Sequence, residues 1–275
     1  MNCVSRHLEY AYQDWCIGSL AERLADTQTS QNFYESAKKV WNLWSEELQH
    51  FAPKDNAGKW ASPFDINVCR KDSWNDPYFY EGVSRSWTYN VQADFAGLVA
   101  RCGGEVGFEQ HLDRYFEDKK IIAKETFMHI PYLYHYANRP DKSSKIVRRI
   151  LSKAYKPERF GIPDNEDMGC HSAFYICGLL GIYPMMGQDW YFLVAPAFER
   201  SVITLGQSGA ELIIEAQKAS DKNVYIESAS LNGARLDRAW IRHEEIKHGA
   251  VLSFSLSSSE TDWGRHNPPP SPLSS

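Results

Sequence analysis

The sequence predicts a mainly α protein with a C-terminal antiparallel β module. Apolar residues recur at helical spacing through the first two thirds of the 275 residues, and near Gly187 the pattern changes to short alternating runs. Asn232-Gly233, between two such runs, is the two-residue signature of a β-hairpin. These observations divide the chain into a helical part (1–187), a sheet module (188–256) and a Ser/Pro-rich segment (257–275).

Leu8, Tyr12, Trp15, Ile17 and Leu20 mark a first amphipathic helix, and Phe33, Val40, Trp41, Trp44 and Leu48 a second. A loop dense in Pro, Asp, Asn and Trp follows from Phe51 to Tyr80. Phe95 to Val99 form a short helix stopped by Gly103-Gly104, and Phe108, Leu112 and Phe116 mark the next. Pro131 suits a helix start. Asp141 is a plausible N-cap for Lys142 to Tyr155, with Ile146, Ile150 and Leu151 facing inward. The last helix follows an acidic loop and ends near Gly181. Ser201–Leu205, Glu211–Ala216, Val224–Leu231 and Val251–Leu256 are the expected strands. From Ser257 the composition cannot bury a core, so a disordered tail is expected.

Composition narrows the function classes. A net charge of −5 and the absence of a Lys/Arg patch argue against nucleic acid as a partner. The longest apolar run, around Phe174 to Met186, is shorter than the roughly 20 residues that span a bilayer, so no membrane helix is expected. Six cysteines without a CxxC pair do not support zinc; most suit small core positions, and Cys69 lies in a polar loop where it could pair under oxidising conditions. The first residues lack the apolar region of a signal peptide, which leaves localisation open. Aromatics at 13% suit a thick core or a sugar-stacking cleft.

Three polar constellations stand out. Asp164, Glu166 and Asp167 crowd a loop ahead of the apolar run Ala173 to Tyr183. Carboxylates held together beside apolar surface suit a metal or a general acid/base, and the same cluster also fits an acidic helix N-terminus. Tyr80-Glu81-Gly82, followed by Trp87, Tyr89 and Asp94, places a carboxyl among aromatics, as a general acid or as a cap. Glu125 and His129 lie in Lys124-Glu125-Thr126-Phe127-Met128-His129-Ile130-Pro131-Tyr132-Leu133-Tyr134, where each alone fits a solvated acid and a core histidine.

Their order is more specific than any one of them. Leu8-Glu9-Tyr10, Tyr80-Glu81-Gly82 through Asp94 and Gly97-Leu98, and His129-Ile130-Pro131-Tyr132-Leu133-Tyr134 resemble segments of glycoside hydrolase family 92, the calcium-dependent exo-α-mannosidases. Asn165-Glu166-Asp167-Met168-Gly169, Ser172-Ala173-Phe174-Tyr175, Leu180-Gly181-Ile182-Tyr183-Pro184, Asn223-Val224-Tyr225-Ile226 and Leu231-Asn232-Gly233 continue the resemblance to the end of the sheet.

The resemblance implies inverting hydrolysis of terminal α-mannosides in mannose-containing glycans. Glu81 would be the general acid and Asp167 the general base, with carboxyls roughly 6.5–9.5 Å apart. Glu125 and Glu166 would bind Ca²⁺ through hard oxygen ligands, and Trp87, Asp94, His129 and Asn165 would contact the sugar. Several positions depart from the pattern. Asn165 stands where an additional Asp is common, Asp164 for a Gly, Lys124 for an Asn, Met128 for a His and Ala93 for a His. The helices are also fewer than the (α/α)6 toroid of the family needs. The implied architecture is therefore a partial toroid followed by closing strands, without the N-terminal β-sandwich of the family. A truncated gene product is the expectation, with a non-catalytic mannose-binding relic or a purely structural helical domain as alternatives.

Overall fold

A computed structural model describes residues 2–70, 72, 74–117 and 124–274. The chain divides into two compact units, Met1–Phe127 with Pro270–Ser275, and Met128–Pro269. The expected boundary near residue 187 differs, because the last two helices share the second unit with the sheet.

The first unit begins with α1 (Cys3–Arg23), whose buried stripe is Val4, Leu8, Ala11, Trp15, Gly18 and Ala21. Ile17 and Leu20, expected on that stripe, are exposed. Gly18 lets the next helix approach, since a Cβ there would lie 2.7 Å from the Tyr34 ring. Helix α2 (Thr27–Ala37) starts where Asp26 accepts a hydrogen bond from the Thr29 N–H at 3.1 Å. The expected helix through Leu48 ends early. It tightens into a 3₁₀ segment at Lys38–Leu43, then β1 (Trp44–Ser45) pairs antiparallel with β2 (His50–Phe51). Trp41 stacks on Phe51 at 5.6 Å and Trp44 meets the same ring edge-on, so aromatic packing overrides helical periodicity here.

Asp76 organises the loop that follows. It is 1% exposed and accepts from the backbone N–H groups of Arg70, Tyr78 and Phe79 at 2.6 to 2.8 Å. Helices α3 (Ser84–Trp87), α4 (Phe95–Arg101) and α5 (Gly104–Glu117) come next. Gly103 and Gly104 separate the last two at φ 89° and 83°, as the sequence predicts for a glycine stop. Beside α5, His50 and His111 lie ring to ring at 4.6 Å. The Tyr89 hydroxyl is 2.8 Å from His111 Nδ1, and His111 Nε2 donates to the Gln49 carbonyl.

The second unit opens with a 3₁₀ segment, Ile130–Ala137, every residue of which is buried. Helix α6 (Pro140–Ala154) starts at proline, two residues ahead of expectation, and Arg139 is its N-cap. Asp141, the expected cap, instead pairs with Arg139 at 2.6 Å. Val147, Ile150 and Leu151 face the core, and Ile146 is half-buried. Helix α7 (Cys170–Leu180) ends at Gly181 with φ 79°.

Strands β3 (Ile182–Pro184), β4 (Trp190–Leu193), β5 (Arg200–Leu205), β6 (Ala210–Gln217), β7 (Tyr225–Leu231), β8 (Ala234–Leu236), β9 (Trp240–Arg242) and β10 (Ala250–Ser257) complete the unit. They form a five-stranded sheet, β5-β6-β10-β7-β8, and a three-stranded sheet, β3-β4-β9. All pairings are antiparallel except β10 with β6. Asn232 and Gly233 take φ 51° and 81°, the left-handed pair that a tight hairpin needs. Leu193, Leu212, Ile214, Leu252, Phe254 and Leu256 centre the core. His135 ties the 3₁₀ segment to it: Nε2 lies 3.0 Å from the Leu193 carbonyl, and Nδ1 lies 2.7 Å from the Tyr132 carbonyl and 2.9 Å from the Ser143 hydroxyl.

The Ser/Pro-rich segment is placed rather than disordered. Within the second unit, Trp263 packs on the sheet core and donates to the Leu236 carbonyl at 2.7 Å. Within the first, Leu273 packs against Trp15, Ala37 and Ala93, and Ser271 accepts from the Ala96 N–H. One large side chain in each stretch supplies the burial that composition alone did not promise.

Acid stability follows from the buried imidazoles. Burial first, then neighbouring charges, lowers His50 to about 4 and His111 to about 3; burial, opposed by its hydrogen bonds, lowers His135 to about 4. The unfolded chain therefore binds protons near pH 6.5 that the fold refuses. Stability present above pH 6.5 is lost as pH falls toward 4, by about 1.4 kcal/mol per pH unit per histidine. Urea titrations between pH 7 and 4.5 should show this decline, and His111→Gln should flatten it.

Candidate active site

Glu81 sits in a turn between the Asp76 loop and α3. It has φ 46°, a left-handed backbone uncommon for a side chain other than glycine, and the residue is 8% exposed. Such strain persists only where the surroundings over-determine it. The Trp87 indole N–H donates to the Tyr80 carbonyl at 2.7 Å, and Tyr80 N–H donates to Ser5 Oγ at 2.9 Å. Gly82 has no room for a side chain, because a Cβ would lie 2.7 Å from the Phe127 ring and 2.9 Å from Ser86 Oγ. Trp87 and Phe127 meet edge to face at 6.0 Å. Aromatic walls thus fix the turn that presents the Glu81 carboxyl.

A cation reaches that carboxyl. Lys124 Nζ lies 3.3 Å from Glu81 Oε1, with the lysine side chain 30% exposed and the glutamate 7%. Glu125 follows in the half-buried turn Glu125–Phe127. Sequence reading set Lys124 beside a calcium ligand; the structure pairs it with the proposed acid. The signal was the departure from the family's Asn.

Asp94, expected to orient sugar hydroxyls, has its oxygens engaged within the protein. It caps α4 by accepting from the Gly97 N–H at 3.0 Å, accepts from the Trp41 indole N–H at 2.7 Å, and takes the Ser274 hydroxyl on Oδ1. Trp41 was missed as a partner because it reads as part of a helical stripe.

In the second unit, Asn165, Glu166 and Asp167 share one loop before α7. Met168 and Gly169 take φ 59° and 79°, and this reversal leaves Asn165 and Asp167 exposed. Glu166 turns back so that Oε1 accepts from the Ser172 N–H at 3.0 Å in the first turn of α7. The capping that the acidic cluster also suggested is therefore real for Glu166. His129 is fully buried at the start of Ile130–Ala137, away from solvent. Beside the loop, Tyr155, Lys156, Ile162, His171, Ser172 and Tyr175 line a cavity of about 200 Å³.

Calcium, the cofactor that the resemblance implies, needs several hard oxygen ligands. Among the described residues, no group of three or more His, Cys, Asp and Glu side chains is disposed to hold a metal. Glu166 already gives an oxygen to a backbone donor, and Glu125 follows a lysine.

The glycosyl hydrolase family 92 catalytic domain model matches residues 1–258. An "uncharacterized secreted glycosidase" of Arthroderma benhamiae is 28% identical over 98% of this chain and 37% of its own. The family GH92 α-mannosidase of Bacteroides thetaiotaomicron solved with mannoimidazole superposes with a TM-score of 0.91 at 26% identity, covering 98% of this chain and 38% of that one. A family GH92 inverting mannosidase of the same organism gives 0.89 at 28% identity, covering 99% and 40%. The chain therefore spans well under half the length of the relatives it matches.

Two substitutions test the site's framework. Gly82→Ala should destabilise the protein by roughly 1–3 kcal/mol through overpacking against Phe127. Asp94→Ala leaves the Trp41 indole and the Gly97 N–H without their acceptor and should cost a similar amount. Urea midpoints measure both.

Proposed function

Because the chain belongs to glycosyl hydrolase family 92, we propose that it carries the acid and base of an inverting exo-α-mannosidase acting on terminal mannose in mannose-containing glycans. The observation that carries this reading is the Glu81 turn: a strained backbone, followed by Gly82 packed against Phe127, is costly to keep unless the carboxyl is used. Glu81 gives a proton to the departing glycosidic oxygen, which is otherwise a poor leaving group. Asp167, exposed on its loop, takes a proton from the water that attacks the opposite face of the ring, so the anomeric configuration inverts. Trp87 buttresses the acid turn through Tyr80, and Asn165 is the exposed polar neighbour of the base.

Calcium is the family's implied cofactor, with Glu125 and Glu166 as the ligands the resemblance suggests. No step is routed through it. A second reading, mannose binding without turnover, is favoured by one observation, the Lys124 ammonium against the proposed acid.

Hydrolysis of an aryl α-mannoside and of an α-1,2-mannobiose decides between them, assayed with calcium and with a chelator. Activity should yield the β-anomer first by NMR and fall by about 10²–10⁴-fold in Glu81→Gln and in Asp167→Asn. Activity indifferent to both substitutions rejects the assigned roles. Mannose binding by calorimetry without hydrolysis selects the second reading.

A further inference from the structure

We propose that Lys124 is a latch on Glu81, an ion pair that must open before the carboxyl can act as a proton donor. This rests on Glu81 being the acid, as argued above.

The two sides of the pair are unequal. Glu81 is fixed by its left-handed backbone, by Gly82 wedged against Phe127 and Ser86, and by the Trp87 bond to the preceding carbonyl. Lys124 carries its charge on a flexible four-carbon stem and remains 30% exposed. Opening therefore belongs to the lysine. The low exposure of Glu81 strengthens the pair relative to a surface ion pair, because water screens it less.

Chemistry supplies the conflict. A general acid needs an O–H directed at the leaving oxygen, whereas Glu81 Oε1 is occupied by the Lys124 ammonium, itself a donor, at 3.3 Å. When the lysine swings out, Glu81 takes a proton from solvent and passes it to the glycosidic oxygen as the C–O bond breaks. The carboxylate left behind is again a partner for the ammonium, so the latch closes after turnover. The Asn at this position in the family pattern has no charge and imposes no such step. The lysine is thus a positioning and regulating residue.

Carbodiimide chemistry on the full chain tests the pair without relying on activity. Treated with carbodiimide alone, the wild type should form a Glu81–Lys124 amide, detected by peptide mass mapping and absent from Lys124→Arg and Lys124→Asn. With excess glycinamide, labelling of Glu81 should be faster in Lys124→Asn, where no ammonium covers Oε1, while Lys124→Arg behaves as wild type. Absence of the amide together with equal labelling in all three proteins, each with an unchanged circular dichroism spectrum, overturns the latch. Where mannosidase activity is measurable, Lys124→Asn should raise kcat and Lys124→Arg should not; an unchanged or lowered kcat in folded Lys124→Asn also overturns it. Amide formation and altered labelling in a protein with no hydrolysis would reject the proposed function while keeping the pair.

Discussion

The first unit depends on the carboxylate of Asp94. A buried charge is costly unless donors surround it; the Gly97 N–H comes from the helix that Asp94 starts, and the Trp41 indole and Ser274 hydroxyl come from distant parts of the sequence. Because the indole points to Asp94, Trp41 lies flat on Phe51, with the Arg101 guanidinium 3.9 Å from its ring centre. This explains why α2 yields to a 3₁₀ turn and a short strand. A residue that reads as a sugar contact in the sequence is, in the fold, the point at which an early tryptophan, a helix start and the last residues are joined.

The proposed acid and base are supported by opposite means. Glu81 is immobilised by aromatic walls and a glycine, in a conformation that an ordinary turn would avoid. Asp167 is left in solvent by a Met-Gly reversal, and its neighbour Glu166 secures the helix behind it. The proposed acid is built into packing, and the proposed base stands on the loop ahead of a helix. The adjacent glutamate shows how one acidic cluster can divide its duties, with one carboxylate holding the backbone and another facing solvent.

Much of the fold was legible in the sequence, and the exceptions share a cause. The four longest strands, the Asn232-Gly233 turn, the glycine stop after α4 and the end of α7 at Gly181 follow from local signals that tertiary packing does not overrule. The second helix was overextended because Trp41 and Trp44 fit a helical stripe while their rings serve Asp94 and Phe51. Strands β3, β4 and β9 are only three or four residues long, too short to show an alternation. The tail looked unfolded because composition averages over residues, and Trp263 and Leu273 are single anchors. At the site, Glu81 was visible as a carboxyl among aromatics, but its strained backbone and its lysine partner are three-dimensional facts. Lys124 lies 43 residues away in sequence, beyond the reach of any local pattern.

The bond between Ser274 and Asp94 spans 180 residues, and the whole second unit lies between its ends. Synthesis therefore delivers the two parts of the first unit at different times. Residues 128–269 emerge from the ribosome before Leu273 can cover Trp15 or Ser274 can reach the carboxylate. Closing so long a loop costs chain entropy, and a fold rich in such contacts forms slowly. Until that closure, Asp94 and the apolar surface around Trp15 stand open in the nascent chain, and this interval is when a chaperone would have most to shield.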